Sequence, residues 1–298
     1  MEVKIIMPIS RRTFLKTTAA AGALASMGNL PLHAERATAS SLVTLGKSGV
    51  KVTRLAFGTG SNNGHVQSSL GQKEFSRLIA YAYERGVRFF ETSESYTTPA
   101  MLGEALKPFP RDSYQLMSKV TTQDEGDPLK KLDELRRTSQ TDYFDIMLLH
   151  CQETRTWPSD TERWQDAILE AQHLQTIRTH GASVHGLPAL RQVAATKWLD
   201  IAMIRVNHKG TKMDNETDDW NAPGNVSEVV NHVQQARAEG MGVISMKLVG
   251  EGTFANRSDR QQAMRFAFRN AGVDCVTVGY KNTAEIDEAI DNVNLAFA

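Results

Sequence analysis

The stretch Gly86-Val-Arg-Phe-Phe-Glu91-Thr-Ser-Glu-Ser-Tyr96 constrains the fold most. It reads as a helix end at Gly86, a short buried strand, and polar side chains released where the strand stops. Aromatic and β-branched residues that turn abruptly polar are expected of a parallel strand buried on both faces and ending at a mouth. Two later segments end in the same way, Tyr114-Gln-Leu-Met-Ser-Lys119-Val120 and Asp145-Ile-Met-Leu-Leu-His150. A carboxylate, a phenol, an ammonium and an imidazole therefore arrive at the ends of three successive strands.

The order around them is regular. Strands are expected near residues 54–58, 87–91, 114–120, 145–150, 181–184, 200–206, 242–248 and 274–279. Helices are expected near 72–85, 98–107, 128–138, 161–178, 187–197, 226–239, 258–271 and 284–295. The helix assignments rest on period: Phe75, Leu78, Ile79 and Ala82 follow the i, i+3, i+4, i+7 stripe, and so do Ile286, Ala289, Ile290 and Val293. Gly86 and Gly240 sit where a helix C-terminus favours a left-handed residue. Eight alternations of strand and helix favour an α/β fold of the (β/α)8 TIM-barrel type over an open doubly wound sheet. Two short strands around Gly46 and Gly49 read as a hairpin ahead of the barrel, so the barrel domain is expected over residues 42–298. Long loops at 208–225 and 250–258 are expected over the C-terminal mouth.

Residues 1–34 read as an address. Ser10-Arg11-Arg12-Thr13-Phe14-Leu15-Lys16 fits a twin-arginine export pattern, an Ala/Gly-rich run follows to Leu30, and Pro31-Leu32-His33-Ala34 precedes a cleavage point. Met7 is an alternative start. The apolar run is too short and too mild to span a bilayer, and no cysteine is placed for lipidation, so no stable membrane anchor is expected. The expected partner is the twin-arginine export machinery and the expected destination the periplasm. Cleavage removes four of the 34 basic residues and one of the 34 acidic ones, which takes the net charge from zero to about −3. No nucleic-acid surface is indicated. The two cysteines, Cys151 and Cys275, are expected at opposite ends of the barrel, badly placed to pair. A cysteine-ligated iron–sulfur cluster needs about four, and no metal site is expected.

From about Leu42 to Ala298 the chain resembles the aldo-keto reductase family, on the strand-end quartet Glu91, Tyr96, Lys119 and His150. The five-residue step from Glu91 to Tyr96 is that family's carboxylate-to-tyrosine spacing. The resemblance implies NAD(P)H-dependent reduction of a small aldehyde or ketone, or oxidation of the matching alcohol. Tyr96 would donate the proton to the developing alkoxide, and Lys119 would lower its pKa. Glu91 would hold Lys119, and His150 would donate a hydrogen bond to the carbonyl oxygen. Two positions depart from the pattern: the family usually has aspartate at Glu91 and commonly glycine at Thr97.

For the cofactor, NADP(H) with NAD(H) as second choice, the resemblance points to the later strands. Gly181-Ala-Ser183-Val-His185 aligns with a Gly-Val-Ser-Asn stretch whose serine and asparagine bind the carboxamide; Ser183 is kept and Val184 replaces the asparagine. Asn207 matches a residue that completes those contacts, and Lys247 at the end of the seventh strand and Gly250 in the loop after it are further cofactor candidates. Lys281, Asn282 and Glu288 belong to the adenosine-phosphate end, where the family's arginine and asparagine have become Glu285 and Ala289. The loop Gly58-Thr-Gly60-Ser-Asn-Asn-Gly64 mimics a dinucleotide loop but departs from GxGxxG, and is expected to be the first strand-to-helix loop. The reading from another class is a non-catalytic barrel that binds a ligand or protein partner in the periplasm.

Overall fold

The structure, a computed structural model, describes residues 36–298 apart from Asp218 and Trp220. The export segment at residues 1–34 and those two loop positions lie outside the described residues.

The hairpin is present, with β1 (Leu42–Thr44) antiparallel to β2 (Lys51–Thr53). Eight parallel strands then close into a barrel: β3 (Leu55–Gly58), β4 (Phe89–Glu91), β5 (Gln115–Val120), β6 (Phe144–Gln152), β7 (Ile177–Val184), β8 (Ile201–Arg205), β9 (Gly242–Met246) and β10 (Cys275–Gly279). They pair in sequence order, and β10 closes on β3. Strands buried on both faces explain why the segments carry few charges until their last residues.

The barrel interior holds Ala56, Phe89, Met117, Ile146, Leu148, Ile201, Met203, Ile244 and Cys275 in one apolar cluster. Leu45 and Val52 of the hairpin join it, so the hairpin fills the end of the barrel away from the mouth. Gly46 makes this approach possible: its φ is +49°, and a Cβ there would lie 2.2 Å from the Gly240 carbonyl oxygen.

Around the barrel lie α1 (His65–Ser68), α2 (Gly71–Glu84), α3 (Pro99–Leu106), α4 (Pro128–Thr138), α5 (Trp157–Asp160), α6 (Glu162–His173), α7 (Leu187–Leu190), α8 (Val226–Ala238), α9 (Arg257–Phe266) and α10 (Thr283–Ala296). The expected stripes face inward: Phe75, Leu78, Ile79 and Ala82 are fully buried, and Ile286, Ala289, Ile290 and Val293 are buried with them. Gly86 (φ +92°) and Gly240 (φ +80°) end α2 and α8 in the left-handed conformation.

Three boundaries differ from the sequence reading. The helix expected to reach 178 stops at His173, because Gln175 turns left-handed (φ +60°) and the chain enters β7 at Ile177. The helix expected over 187–197 keeps one α-helical turn; the amides of Gln192 and Val193 then bond three residues back, to Ala189 and Leu190. The β-branched residues Val193 and Thr196 favour such a loosened segment. The helix expected over 258–271 relaxes after Phe266 into a π-turn at Ala267–Ala271 and ends at Gly272 (φ +79°).

Candidate active site

The inward face of several strands changes character one step before the mouth. Two residues beyond the apolar cluster members Ala56, Phe89, Met117, Leu148 and Met203 come Gly58, Glu91, Lys119, His150 and Arg205. Side chains alternate with period two, so these residues form the layer directly above the apolar plug.

Lys119 and Glu91 form a buried ion pair, their side chains 1% and 4% exposed. The ammonium also donates to the Thr92 carbonyl oxygen at 2.7 Å. Burial lowers the Lys119 pKa, against the opposing pull of Glu91. The Lys119 nitrogen lies 4.7 Å from the centroid of the Tyr96 ring. The His150 ring meets the same tyrosine edge-on, with centroids 5.6 Å apart. All four quartet residues therefore converge.

The phenol differs from the expectation of an acidified group. Burial, and after it Glu91, pushes the Tyr96 hydroxyl well above its ordinary value. Lys119 is spoken for by Glu91, so desolvation wins and Tyr96 stands as a neutral phenol. Its hydroxyl makes no hydrogen bond among the described residues. His150 is also neutral: burial, then Lys119 and Lys247, pushes it down to about 3. Its Nδ1 lies 2.9 Å from the Ser93 hydroxyl and 3.2 Å from that of Ser95. The reading of the sequence missed these serines, although both sit in the polar run between Glu91 and Tyr96.

Two glycines make room for the site. A Cβ on Gly60 would fall 2.4 Å from the Tyr96 ring, so the first strand-to-helix loop packs directly on the phenol. A Cβ on Gly58 would fall 3.0 Å from Glu91 Oε2. The absent side chain leaves space for a carboxylate one methylene longer than aspartate. Thr97, which stands where glycine is common, bonds outward to the Ser68 hydroxyl at 3.0 Å.

The cofactor candidates divide into two groups. Ser183, on the inward face of β7, accepts the Cys151 amide at 2.9 Å, and its own proton has no protein acceptor among the described residues. Asn207 is fully engaged: its oxygen accepts from Lys209 and Thr211 amides, and its nitrogen donates to the Thr211 and Lys247 carbonyls. Lys247 (φ +55°) pairs with Glu251, and Gly250 (φ +58°) opens a short 3-10 turn at Gly250–Gly252. At the far end Asn282 caps α10 by accepting the Glu285 amide. Glu285 reaches back to accept the Lys281 amide at 3.0 Å and lies 3.8 Å from its ammonium. Glu288 is held by a two-pronged contact from Arg260, at 2.6 and 2.9 Å. An anion position at this helix N-terminus is thus filled by the chain's own Glu285.

Comparison with known proteins bears on the fold, the family and the export segment. Residues 8–28 match the twin-arginine translocation (TAT) pathway signal sequence. A soybean (Glycine max) protein named "Probable aldo-keto reductase 1" is 32% identical over 94 residues, 30% of this chain and 27% of that protein. The match thus spans about a quarter of that relative's length. Among solved structures, a candidate aldo-keto reductase from Pseudomonas aeruginosa superposes with a TM-score of 0.70 at 16% identity, covering 89% of this chain and 98% of that one. The holo form of an aldo-keto reductase from Bacillus halodurans gives 0.67 at 18%, covering 85% and 90%. At such identities these two establish the shared fold. The aldo/keto reductase family model matches residues 54–265, well over half the sequence, and the chain belongs to that family.

Proposed function

We propose that the protein is an exported nicotinamide-dependent oxidoreductase that reduces a small aldehyde or ketone, or oxidises the matching alcohol. The observation that carries this reading is the buried Glu91–Lys119 pair beneath Tyr96, with the neutral His150 ring against the same phenol. A neutral phenol whose hydroxyl has no protein partner is a proton donor awaiting an acceptor. With Nδ1 accepting from Ser93 or Ser95, His150 is the Nε2–H tautomer, able to donate to a carbonyl oxygen. Together Tyr96 and His150 offer two donors to the oxygen on which negative charge develops. Lys119 holds a positive charge beneath the ring, which eases loss of the Tyr96 proton as the alkoxide forms, and Glu91 fixes that charge in place.

The nicotinamide, when bound, supplies the hydride. The chain fits its reactive end, because Ser183 retains a hydroxyl proton for a carboxamide oxygen. Lys247, Gly250 and Asn207 would frame the rest of that end through the loops they hold. At the adenosine end Lys281, Asn282 and Glu288 would meet the ribose, with Glu285 already seated. A carboxylate there repels a 2′-phosphate and accepts hydrogen bonds from a free ribose hydroxyl.

We therefore expect NADPH to be preferred over NADH by less than about 10-fold, or about 1.4 kcal/mol. Glu285→Arg is expected to move the preference towards NADPH. Fluorescence titration of both cofactors at fixed ionic strength measures it. A several-hundred-fold NADPH preference in the parent, unchanged in Glu285→Arg, would show that Glu285 has no part in selection.

Export through the twin-arginine pathway leads to the periplasm in this reading, with no stable anchor at the membrane. Among the described residues no helix is long and apolar enough to cross one. Replacing Arg11 and Arg12 together by lysine is expected to retain the protein in the cytoplasm, since the pathway reads the guanidinium pair. Immunoblots of periplasmic and cytoplasmic fractions check this; undiminished periplasmic protein refutes it. Folded transport would let a cofactor loaded inside cross with the enzyme.

A further inference from the structure

A second cluster of reactive side chains lies at the same mouth, and the carbonyl chemistry does not use it. The Cys151 sulfur is 3.1 Å from His185 Nδ1 and 3.5 Å from Glu153 Oε1. All three potential donor atoms fall within 4.8 Å of one another. His185 is buried, Cys151 half-buried and Glu153 exposed.

The backbone is shaped to bring them together. The β6–β7 register shifts between Leu149 and Gln152, and Cys151 within that irregularity adopts φ +58°. A non-glycine residue in the left-handed region carries a conformational cost. The Cys151 amide is tied to Ser183, two residues before His185, so the cysteine and histidine are positioned by one local contact.

A reactive thiolate is not what this arrangement makes. Burial, then Glu153, pushes the thiol up to about 12, far from the range of nucleophilic cysteines. A cation reading fits the geometry better. Tetrahedral zinc, with bonds of about 2.3 Å to sulfur and about 2.0–2.2 Å to nitrogen and oxygen, sets its ligand atoms roughly 3.3–3.6 Å apart. The sulfur–nitrogen and sulfur–oxygen separations already lie within a few tenths of an ångström of that range. The remaining adjustment falls on exposed Glu153, which is free to turn.

We propose that Cys151, Glu153 and His185 form a binding site for a zinc-class divalent cation, with a fourth coordination position left open at the mouth. Sulfur, imidazole and carboxylate together suit zinc over magnesium or calcium. A thiolate and a carboxylate neutralise the ion's two charges, the thiol proton passing to solvent on binding. The three nearby cations are offset by their own partners, Arg205 by Asp214 at 2.5 Å, Lys247 by Glu251 and Lys119 by Glu91. This revises the expectation that the chain has no metal site. It stands apart from the carbonyl-reductase reading, since cation binding requires no turnover.

The test uses untagged full-length protein, dialysed against chelator and titrated with Co2+ and then Zn2+. One equivalent of Co2+ is expected to bind with a thiolate-to-cobalt charge-transfer band, which Zn2+ abolishes by displacement. Cys151→Ser is expected to lose the band and Cys275→Ala to keep it. Glu153→Gln, a surface change that leaves the fold intact by circular dichroism, is expected to weaken Co2+ binding at least about 10-fold, the lower end for losing even an outer-shell partner. Absence of the band in the parent overturns the proposal. So does a band that survives Cys151→Ser, which marks adventitious binding, or an affinity that Glu153→Gln leaves unchanged.

Discussion

Tyr96→Phe is expected to lose nearly all carbonyl reduction while binding NADPH as tightly as the parent. The substitution removes one oxygen from a half-buried ring and leaves the ring's contacts with Gly60, Lys119 and His150 in place. That hydroxyl makes no hydrogen bond among the described residues, so its loss leaves no buried polar group unpaired and stability changes little. The whole effect falls on proton donation, a loss of about 10²–10⁴ in kcat. Steady-state kinetics with an aldehyde panel, alongside fluorescence titration of NADPH, separates the two quantities. A Phe variant that turns over at the parent rate removes Tyr96 from the mechanism.

The second large effect is expected at the ion pair. Glu91→Gln keeps the shape of the side chain but leaves the Lys119 ammonium buried without a counter-charge, held only by neutral partners such as the Thr92 carbonyl and the Tyr96 ring. Removing one partner of a buried pair costs on the order of 3–5 kcal/mol. Burial already pulls the Lys119 pKa down, so without Glu91 the lysine sheds its proton more readily. Stability and rate should then fall together: an earlier urea midpoint and a kcat reduced about 100-fold, the scale seen when a catalytic group is misplaced by about an ångström. Glu91→Asp is expected to retain both, because it preserves the charge, although it withdraws the carboxylate from the space beside Gly58. A Gln variant with the parent's midpoint and rate would show that the carboxylate tunes nothing.

The barrel and the polar layer above its plug were legible because both rest on short periods. Phe89 and Glu91, Met117 and Lys119, Leu148 and His150 are pairs two residues apart, and a period of two places them on one inward face whatever the rest of the chain does. Contacts made across strands were not legible in this way. Nothing in the spacing of Ser93 and His150 announces a 2.9 Å contact between residues 57 apart. Asn207 reads as a binding residue, yet in the fold its amide is committed to four backbone partners.

Glu285 had a local signal that was available. Asn282-Thr-Ala-Glu285 is a capping box, in which the fourth residue turns back towards the helix start. That pattern places the carboxylate where a cofactor phosphate was expected. Cys151 and His185 became neighbours only through the β6–β7 irregularity, which depends on pairing between strands and leaves no trace in either segment alone.

The proposed reaction is transfer of a hydride from the nicotinamide to a carbonyl carbon. NADPH deuterated at the transferring C4 position, mixed with purified protein and an aldehyde, tests it most directly by mass spectrometry of the product alcohol. Deuterium is expected on the former carbonyl carbon, with the signal lost in Tyr96→Phe. An alcohol without deuterium would contradict it, and no alcohol from any aldehyde or ketone offered while NADPH is bound would contradict it and leave a barrel that binds without catalysing.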